Sequence, residues 1–227
     1  MKKLFFLAAL LFFSNFLFAQ DEGSHKAKGV IGYFRAGYSM LNFSSLNDAF
    51  KIGNMQLPNT LTFSTGGGGF VIHKSFLIGG EGYGFMNSKT SNVAYESKLD
   101  GGKGSLQLGY VVFRRTKITV IPTVGIGGYK VSADIRSILP DSTNFNQVLF
   151  NPNNSTHLQT SGISIAPKII FEIKAFKLIH VGIEAGYDYA LMNKGWTSNG
   201  QKIKEGPTTN LNGLFFGLTI GAGFIGD

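Results

Sequence analysis

The sequence predicts an all-β protein: an eight-stranded antiparallel up-and-down transmembrane β-barrel that follows a cleaved signal peptide. Three observations predict it. Apolar residues alternate with polar or small ones after residue 20, helical periodicity is nearly absent there, and the connectors alternate between short and long. With 43% hydrophobic residues, 15% charged residues, 31 glycines and no cysteine in 227 residues, the composition excludes disordered, collagen-like and disulfide-rich classes.

The first residues have the pattern of a secretory signal. Lys2 and Lys3 precede an apolar run over residues 5–19, which ends in a small residue and is followed by polar ones. A membrane anchor is the alternative, but two polar residues interrupt the run and it is shorter than the roughly 20 residues of a spanning helix. We therefore predict a signal peptide over 1–19 and an outer-membrane barrel domain over 20–227.

Eight strands account for the alternating segments. Each is longer than the five or six residues of an ordinary strand, and a tilted strand of about 9 to 11 residues suffices to cross a bilayer. The predicted strands are 29–41, 61–72, 76–86, 103–113, 118–130, 160–174, 178–191 and 211–225.

The connectors predict how the strands are inserted. Short turns on one side and long loops on the other are typical of a barrel in the outer membrane of a Gram-negative cell, whereas a soluble sandwich has no reason for them. An even strand number places both termini on the short-turn side, in the periplasm. The short turns are 73–75, 114–117 and 174–178, and the long loops are 42–60, 87–102, 131–159 and 192–210.

The two faces of the predicted strands differ in polarity. In 178–191, one face carries Ile179, Val181 and Ile183, and the other carries His180, Gly182 and Glu184. This arrangement suits a barrel with lipid outside and polar groups inside, and a soluble lipocalin-like barrel would show the inverse. The glycine run at 66–69 leaves the facing of 61–72 open; we interpret it as a site of sheet curvature, not as a phosphate loop.

Six polar residues fall near mid-strand on the predicted inner face. We expect each cation among them to pair with a glutamate, because unpaired charges at that depth are costly, and the two neutral residues to satisfy the remaining hydrogen bonds. Since an eight-stranded interior is only wide enough for its own side chains, this belt should plug the barrel. The six are Arg35, Glu81, Gln107, Thr123, Lys168 and Glu184.

The excess positive charge falls on the short turns. Two interpretations stay open: a solvated rim that ends each strand, or attraction to anionic headgroups of the periplasmic leaflet. No nucleic-acid partner is predicted in that compartment. The basic residues are Lys74, Arg114, Arg115, Lys117, Lys174 and Lys177, with no acid among them.

The signal, the eight strands, the alternating connectors and the inner belt together resemble the small eight-stranded outer-membrane β-barrel families, the OmpA-barrel and OmpX-like group. The resemblance covers residues 20–227. Within it, the closing segment 219–226 is similar to the insertion signal of such proteins, although Gly226 and Asp227 stand where a terminal aromatic residue is usual. The resemblance implies a membrane-embedded porin-like barrel domain that uses surface loops.

Catalytic, cofactor and metal sites are not predicted. No two of the four histidines share metal-ligand spacing, so we expect no metal and no cofactor. Small barrels that modify lipid A carry His and Ser groups near the outer rim. Here His73 and Ser75 imitate such a pair, but they lie on the short-turn side, and we predict that the protein is not an enzyme.

The predicted function is that of a structural or surface-interaction protein, an adhesin or ligand-contact barrel. Its partners would be the outer-membrane bilayer and an extracellular protein or glycan that touches the loops 42–60, 87–102, 131–159 and 192–210. We expect a monomer. The alternatives are a narrow pore or carrier of small apolar molecules, and a lipid A-modifying enzyme.

Overall fold

A computed structural model gives the fold of the chain. It describes residues 27–42, 44, 48, 61–86, 90–91, 95–138, 155–198, 200–204, 206–207 and 212–226. The predicted signal peptide over 1–19, most of the predicted loop 42–60 and the stretch 139–154 lie outside the described residues.

Eight long antiparallel strands form the barrel wall. They are β1 (Lys28–Met40), β2 (Leu61–His73), β3 (Phe76–Met86), β4 (Tyr95–Tyr110), β5 (Ile118–Ser137), β6 (Ser155–Lys174), β7 (Ile179–Ser198) and β8 (Gly213–Gly226). The two-residue strands Thr90–Ser91, Phe113–Arg114 and Gln201–Lys202 pair with β4, β5 and β7.

The sheet closes on itself. Each long strand pairs with the next along the chain, and β8 pairs with β1 so that Lys28 lies opposite Gly226. The predicted eight-stranded up-and-down barrel is therefore confirmed. No helix in the described ranges is long and apolar enough to cross a membrane.

The outer wall is apolar and exposed over most of its height. Along β8, Leu214, Phe216, Leu218 and Ile220 all point outward and are 45% to 62% exposed. In β2, the strand whose facing the sequence left open, Leu61, Phe63 and Val71 point outward, while Thr62, Ser64, Phe70 and Ile72 are buried. A wall that exposes this much apolar surface is suited to contact with lipid.

Aromatic side chains cluster near both ends of this apolar wall. Near the long-loop end, the Tyr38 ring lies 5.4 Å from Phe63 and 5.8 Å from Phe216. Near the short-turn end, Phe76 and Tyr110 are 5.0 Å apart in an edge-to-face contact. These positions match the two interfacial girdles of membrane barrels.

Four strands extend farther toward the long-loop end than the sequence predicts. β4 begins at Tyr95, β5 ends at Ser137, β6 begins at Ser155 and β7 ends at Ser198. The predicted bounds of the loops 87–102, 131–159 and 192–210 are therefore wrong.

The reason is a reversal of polarity along the wall. In the extensions, Lys98, Asp100 and Arg136 point outward, whereas Leu99 and Val131 are fully buried inside. We call this outward polar part of the wall, formed by residues 96–100 of β4, 130–136 of β5 and 155–161 of β6, the polar collar. Its strands still alternate with a period of two, but their polar face is the outer one.

Two apolar clusters fill the barrel interior, one toward each end. The upper cluster, near the long loops, consists of Leu41, Phe85, Leu99, Tyr129, Val131, Ala133 and Trp196. The lower cluster, near the short turns, consists of Ala27, Ile31, Tyr33, Phe70, Ile72, Leu77, Val111, Ile121, Ile170 and Ile225. Charged side chains occupy the interior between them.

Candidate functional site

The strands bring four charged residues together at mid-height inside the barrel. Arg35 comes from β1, Glu81 from β3, Lys168 from β6 and Glu184 from β7, and each is less than 10% exposed. All four occupy inner positions of the two-residue alternation, so their side chains converge from different sides of the cylinder. We call these four residues the charged layer.

Lys168 is the bridge of the charged layer. Its Nζ donates to Glu81 Oε2 at 2.7 Å and to Glu184 Oε2 at 2.8 Å. Arg35 Nε donates to the other oxygen of Glu184 in an ion pair. Two cations and two carboxylates thus neutralise one another, which offsets the desolvation that burial imposes on each of them.

Arg35 is also held by neutral groups. Its Nη1 donates to Ser64 Oγ at 2.8 Å, and its guanidinium carbon lies 4.4 Å from the centre of the Tyr83 ring and 5.6 Å from that of Phe215. Cation–π contacts of this kind strengthen when they are desolvated. The guanidinium is therefore held by a hydroxyl and two aromatic rings as well as by its ion pair.

The two neutral residues of the predicted belt are both buried, and they differ in their hydrogen bonds. Gln107 Nε2 donates to the Tyr33 hydroxyl at 3.4 Å, and Tyr33 in turn donates to Glu81 Oε2 at 3.2 Å. The Thr123 hydroxyl has no hydrogen-bond partner in the described part of the chain. Gln107 is thus linked to Glu81 through Tyr33, and the hydrogen bond expected of Thr123 is not formed in the described part of the chain.

A second buried ion pair lies above the charged layer and was not predicted. Lys103 Nζ pairs with Asp188 Oδ1, and the Tyr83 hydroxyl donates to Asp188 Oδ2 at 3.1 Å. Both charged residues share the inner parity of their strands with predicted belt residues, so the same alternation could have identified them. A cavity of about 20 Å³ beside this pair, lined in part by Ser39 and Ser164, has room for little more than a water molecule.

Inner glycines make room for the long charged side chains. A Cβ at Gly186 would lie 2.6 Å from Lys168 Cβ and 2.6 Å from Phe215. A Cβ at Gly182 would meet Glu172 Oε1 at 2.7 Å, where this carboxylate accepts a hydrogen bond from Thr219. Gly182 and Gly186 therefore leave the space that the side chains of Glu172 and Lys168 occupy.

The other polar groups do not assemble a reactive site in the described residues. His73 is exposed, whereas Ser75 is buried and its Oγ accepts a hydrogen bond from Ala27 N at 3.3 Å. No hydrogen bond between His73 and Ser75 is formed there, and within the described ranges no three His, Asp or Glu side chains are grouped as a metal site would require.

The six predicted basic residues all lie at the short-turn end. Lys74, Arg115, Lys117 and Lys177 are exposed, and Arg114 and Lys174 are partly exposed. Backbone hydrogen bonds join their turns, for example from Lys174 N to Lys117 O at 2.8 Å. These residues lie on the opposite end of the barrel from the polar collar.

No family model matches the sequence, and neither does any curated protein. Solved structures do match. A major outer membrane protein from Thermus thermophilus is 9% identical, with 88% of this chain and 100% of that chain covered and a TM-score of 0.55. The chain has the outer-membrane β-barrel fold. The predicted resemblance to outer-membrane barrels is thus confirmed for the fold.

Two further outer-membrane β-barrel structures are similar at a lower score. The attachment invasion locus protein Ail of Yersinia pestis is 10% identical, with 87% of this chain and 97% of that chain covered and a TM-score of 0.46. Neisserial surface protein A is 14% identical, with 89% and 98% covered and a TM-score of 0.41. At these identities the likeness concerns the fold alone.

Proposed function

We propose that the protein resides in the outer membrane as a barrel plugged by its own side chains, and that it acts as a structural or surface-interaction protein through its long loops. In this proposal it is a monomer and not an enzyme. Its signal peptide, residues 1–19, is removed, and both ends of the barrel domain lie in the periplasm.

The proposal that the interior is plugged depends on the bridge that Lys168 forms. This bridge ties β3 to β7 across the lumen through two short hydrogen bonds, and Arg35 ties β1 to β7 beside it. Apolar clusters lie above and below. An ion that entered would have to displace both an apolar layer and a charged layer whose two cations and two carboxylates are paired with one another.

The polar collar supports a role at the cell surface. It extends β4, β5 and β6 beyond the apolar wall, and cross-strand contacts such as that between His157 Nδ1 and Asp134 Oδ1, at 2.6 Å, stabilise it. A rigid scaffold that lifts loops away from the bilayer is suited to present them to an extracellular protein or glycan. In this proposal the long-loop end faces the cell exterior.

Conductance in planar bilayers tests the plug. The wild-type protein should show no steady conductance, and a variant with alanine at all four residues of the charged layer should conduct if it folds. The shift of gel mobility on heating reports folding for both. Steady wild-type conductance that is abolished by altering Glu81 or Glu184 would instead favour the narrow pore.

Loop replacement tests the surface role. Replacing residues 139–154 by a short glycine-serine linker should leave heat-dependent mobility unchanged, and it should weaken adhesion of expressing cells to a glycan array or to immobilised matrix protein. Equal adhesion of both forms would contradict contact through this loop.

Mass analysis of lipid A from cells with and without the protein tests the alternative of a lipid A-modifying enzyme, and an unchanged lipid A profile removes that alternative.

A further inference from the structure

The described turns at the short-turn end of the barrel carry cations and no acids. Besides the six basic turn residues, Lys28 is exposed there, and the described turn segments 73–75, 111–117 and 174–178 contain no Asp or Glu. The acid closest in sequence, Glu172, is 3% exposed and bonded inside the barrel to Thr219. The described turns at this end therefore carry an excess of positive charge.

The turns that carry these cations form one hydrogen-bonded rim. Ser75 N donates to Ala27 O at 2.9 Å, and Val111 N donates to Ser75 O at 2.8 Å. On the other side, Gly223 N donates to Leu178 O at 2.9 Å. Because the backbone is fixed in this way, the basic side chains extend from a set frame and not from free loops.

Four of the cations lie on two adjacent turns, and we call them the basic cluster: Arg115, Lys117, Lys174 and Lys177. The turns are joined directly by the hydrogen bond between Lys174 and Lys117. Within the described residues, none of the four forms a salt bridge; Arg115 stacks over the Phe113 ring at 5.8 Å. Their charge is thus available to a ligand.

Apolar side chains stand exposed among these cations. Phe176 is 70% exposed, Leu178 58% and Phe113 44%, each within two residues of a member of the basic cluster. A soluble acidic protein or a cell-wall polymer would satisfy the cations but would leave these apolar groups in water. The boundary of a bilayer satisfies both, with acyl chains for the apolar groups and phosphates for the cations.

We propose that the turns 111–117 and 174–178 form a binding site for the phosphate groups of anionic phospholipids in the leaflet at the short-turn end. The site selects lipid headgroups through the basic cluster, and it seats the adjoining acyl chains against Phe113, Phe176 and Leu178. This inference rests on the proposed function, since it requires the apolar wall to lie in a bilayer.

Lipid retention tests the proposal. The full chain is reconstituted in nanodiscs of equal parts phosphatidylethanolamine and phosphatidylglycerol, and the lipids that stay with the protein are counted by native mass spectrometry. The wild type should retain phosphatidylglycerol preferentially. Each cation near an anionic surface contributes about fivefold in partition, so changing all four residues of the basic cluster to glutamine should remove most of the preference.

A matched variant controls for total charge. Glutamine at Lys98, Lys130, Arg136 and Lys202, four cations of the long-loop end, removes the same charge and should keep the wild-type preference. Equal retention of both lipids by the wild type, or equal loss in both variants, would overturn the site. So would cosedimentation with purified cell-wall polymer that depends on the basic cluster while lipid preference does not.

The heat-dependent gel shift separates this test from that of the proposed function. If all three forms show the shift in vesicles of zwitterionic lipid alone, the barrel is inserted and a missing lipid preference counts only against the site. If the wild type shows no shift, the membrane barrel itself fails.

Discussion

The Lys168 ammonium lies 2.8 Å from the Glu184 carboxylate in the centre of the barrel, and each side chain is only 1% exposed. Strand register makes this contact possible, because a slip of one residue in β6 or β7 would turn one partner toward the outer wall. The charged layer therefore stabilises the observed register of β6 and β7 and strongly destabilises registers shifted by one residue.

Removing the bridging cation should destabilise the barrel. Lys168→Met leaves Glu81 and Glu184 buried without the ammonium between them, and losing one partner of a buried pair costs about 3–5 kcal/mol. Urea unfolding in lipid vesicles measures this loss of stability. Thr123→Val is the control, because the Thr123 hydroxyl has no partner among the described residues to lose and the change should be near zero. Equal effects of the two substitutions would contradict the role of Lys168.

Replacing a glycine by alanine should destabilise the barrel on its inner face and not on its outer face. A Cβ at Gly186 would meet Lys168 and Phe215 at 2.6 Å, so Gly186→Ala should lower the free energy of unfolding by about 1–3 kcal/mol. At Gly82, on the outer wall, the nearest atom to the added Cβ would be 3.7 Å away. Gly82→Ala should be neutral or stabilising by up to about 1 kcal/mol, since alanine restricts the unfolded chain more. A larger loss at Gly82 than at Gly186 would reverse the assignment of the faces.

The single tryptophan should report the upper apolar cluster. Trp196 is 2% exposed, and its Nε1 donates to Pro207 O at 2.7 Å. We expect blue-shifted emission and weak quenching by acrylamide in the folded protein, and both should revert on unfolding. Quenching as strong in the folded as in the unfolded protein would show that water reaches this end of the interior.

A charge on the apolar wall should cost more than one on the polar collar. Leu106 is 72% exposed on the outer face of β4, and Leu106→Arg should cost about 2–4 kcal/mol in a bilayer if it lies near the midplane. Ser132 points outward from the polar collar, and Ser132→Arg should cost little. Unfolding in lipid vesicles gives the free-energy cost of each substitution. Equal costs would show that Leu106 and Ser132 face the same surroundings.

The alternation of residue types was enough to predict the barrel wall, the strand number and the residues of the charged layer. It was insufficient for the ends of β4 to β7. There, polar outward residues such as Lys98 and Asp100 gave the strand the sequence pattern of a loop, because the outer face of the wall meets water and not lipid. A period of two survives that change, but the polarity of each face does not.

The contacts between interior side chains were harder to predict than which residues face the interior. Parity places Tyr33, Lys103 and Asp188 on the inner face as clearly as it places Glu81. Which inner groups actually meet depends on side-chain length and on the gaps left by glycines such as Gly186, and both are properties of the closed cylinder. No local signal in the sequence therefore indicates that Tyr33 lies between Gln107 and Glu81.

The pairing of Lys28 with Gly226 makes the order of strands circular. A short linker between these positions, with new ends cut into the turn at Lys74 and Ser75, would give a rearranged gene whose product contains the same eight strands with the same neighbours. Both residues of that turn have positive φ, 50° and 69°, so cutting there would also release a conformation that side-chain-bearing residues adopt reluctantly. The closed order of strands thus predicts that the same barrel can be built from a chain that starts at a different strand.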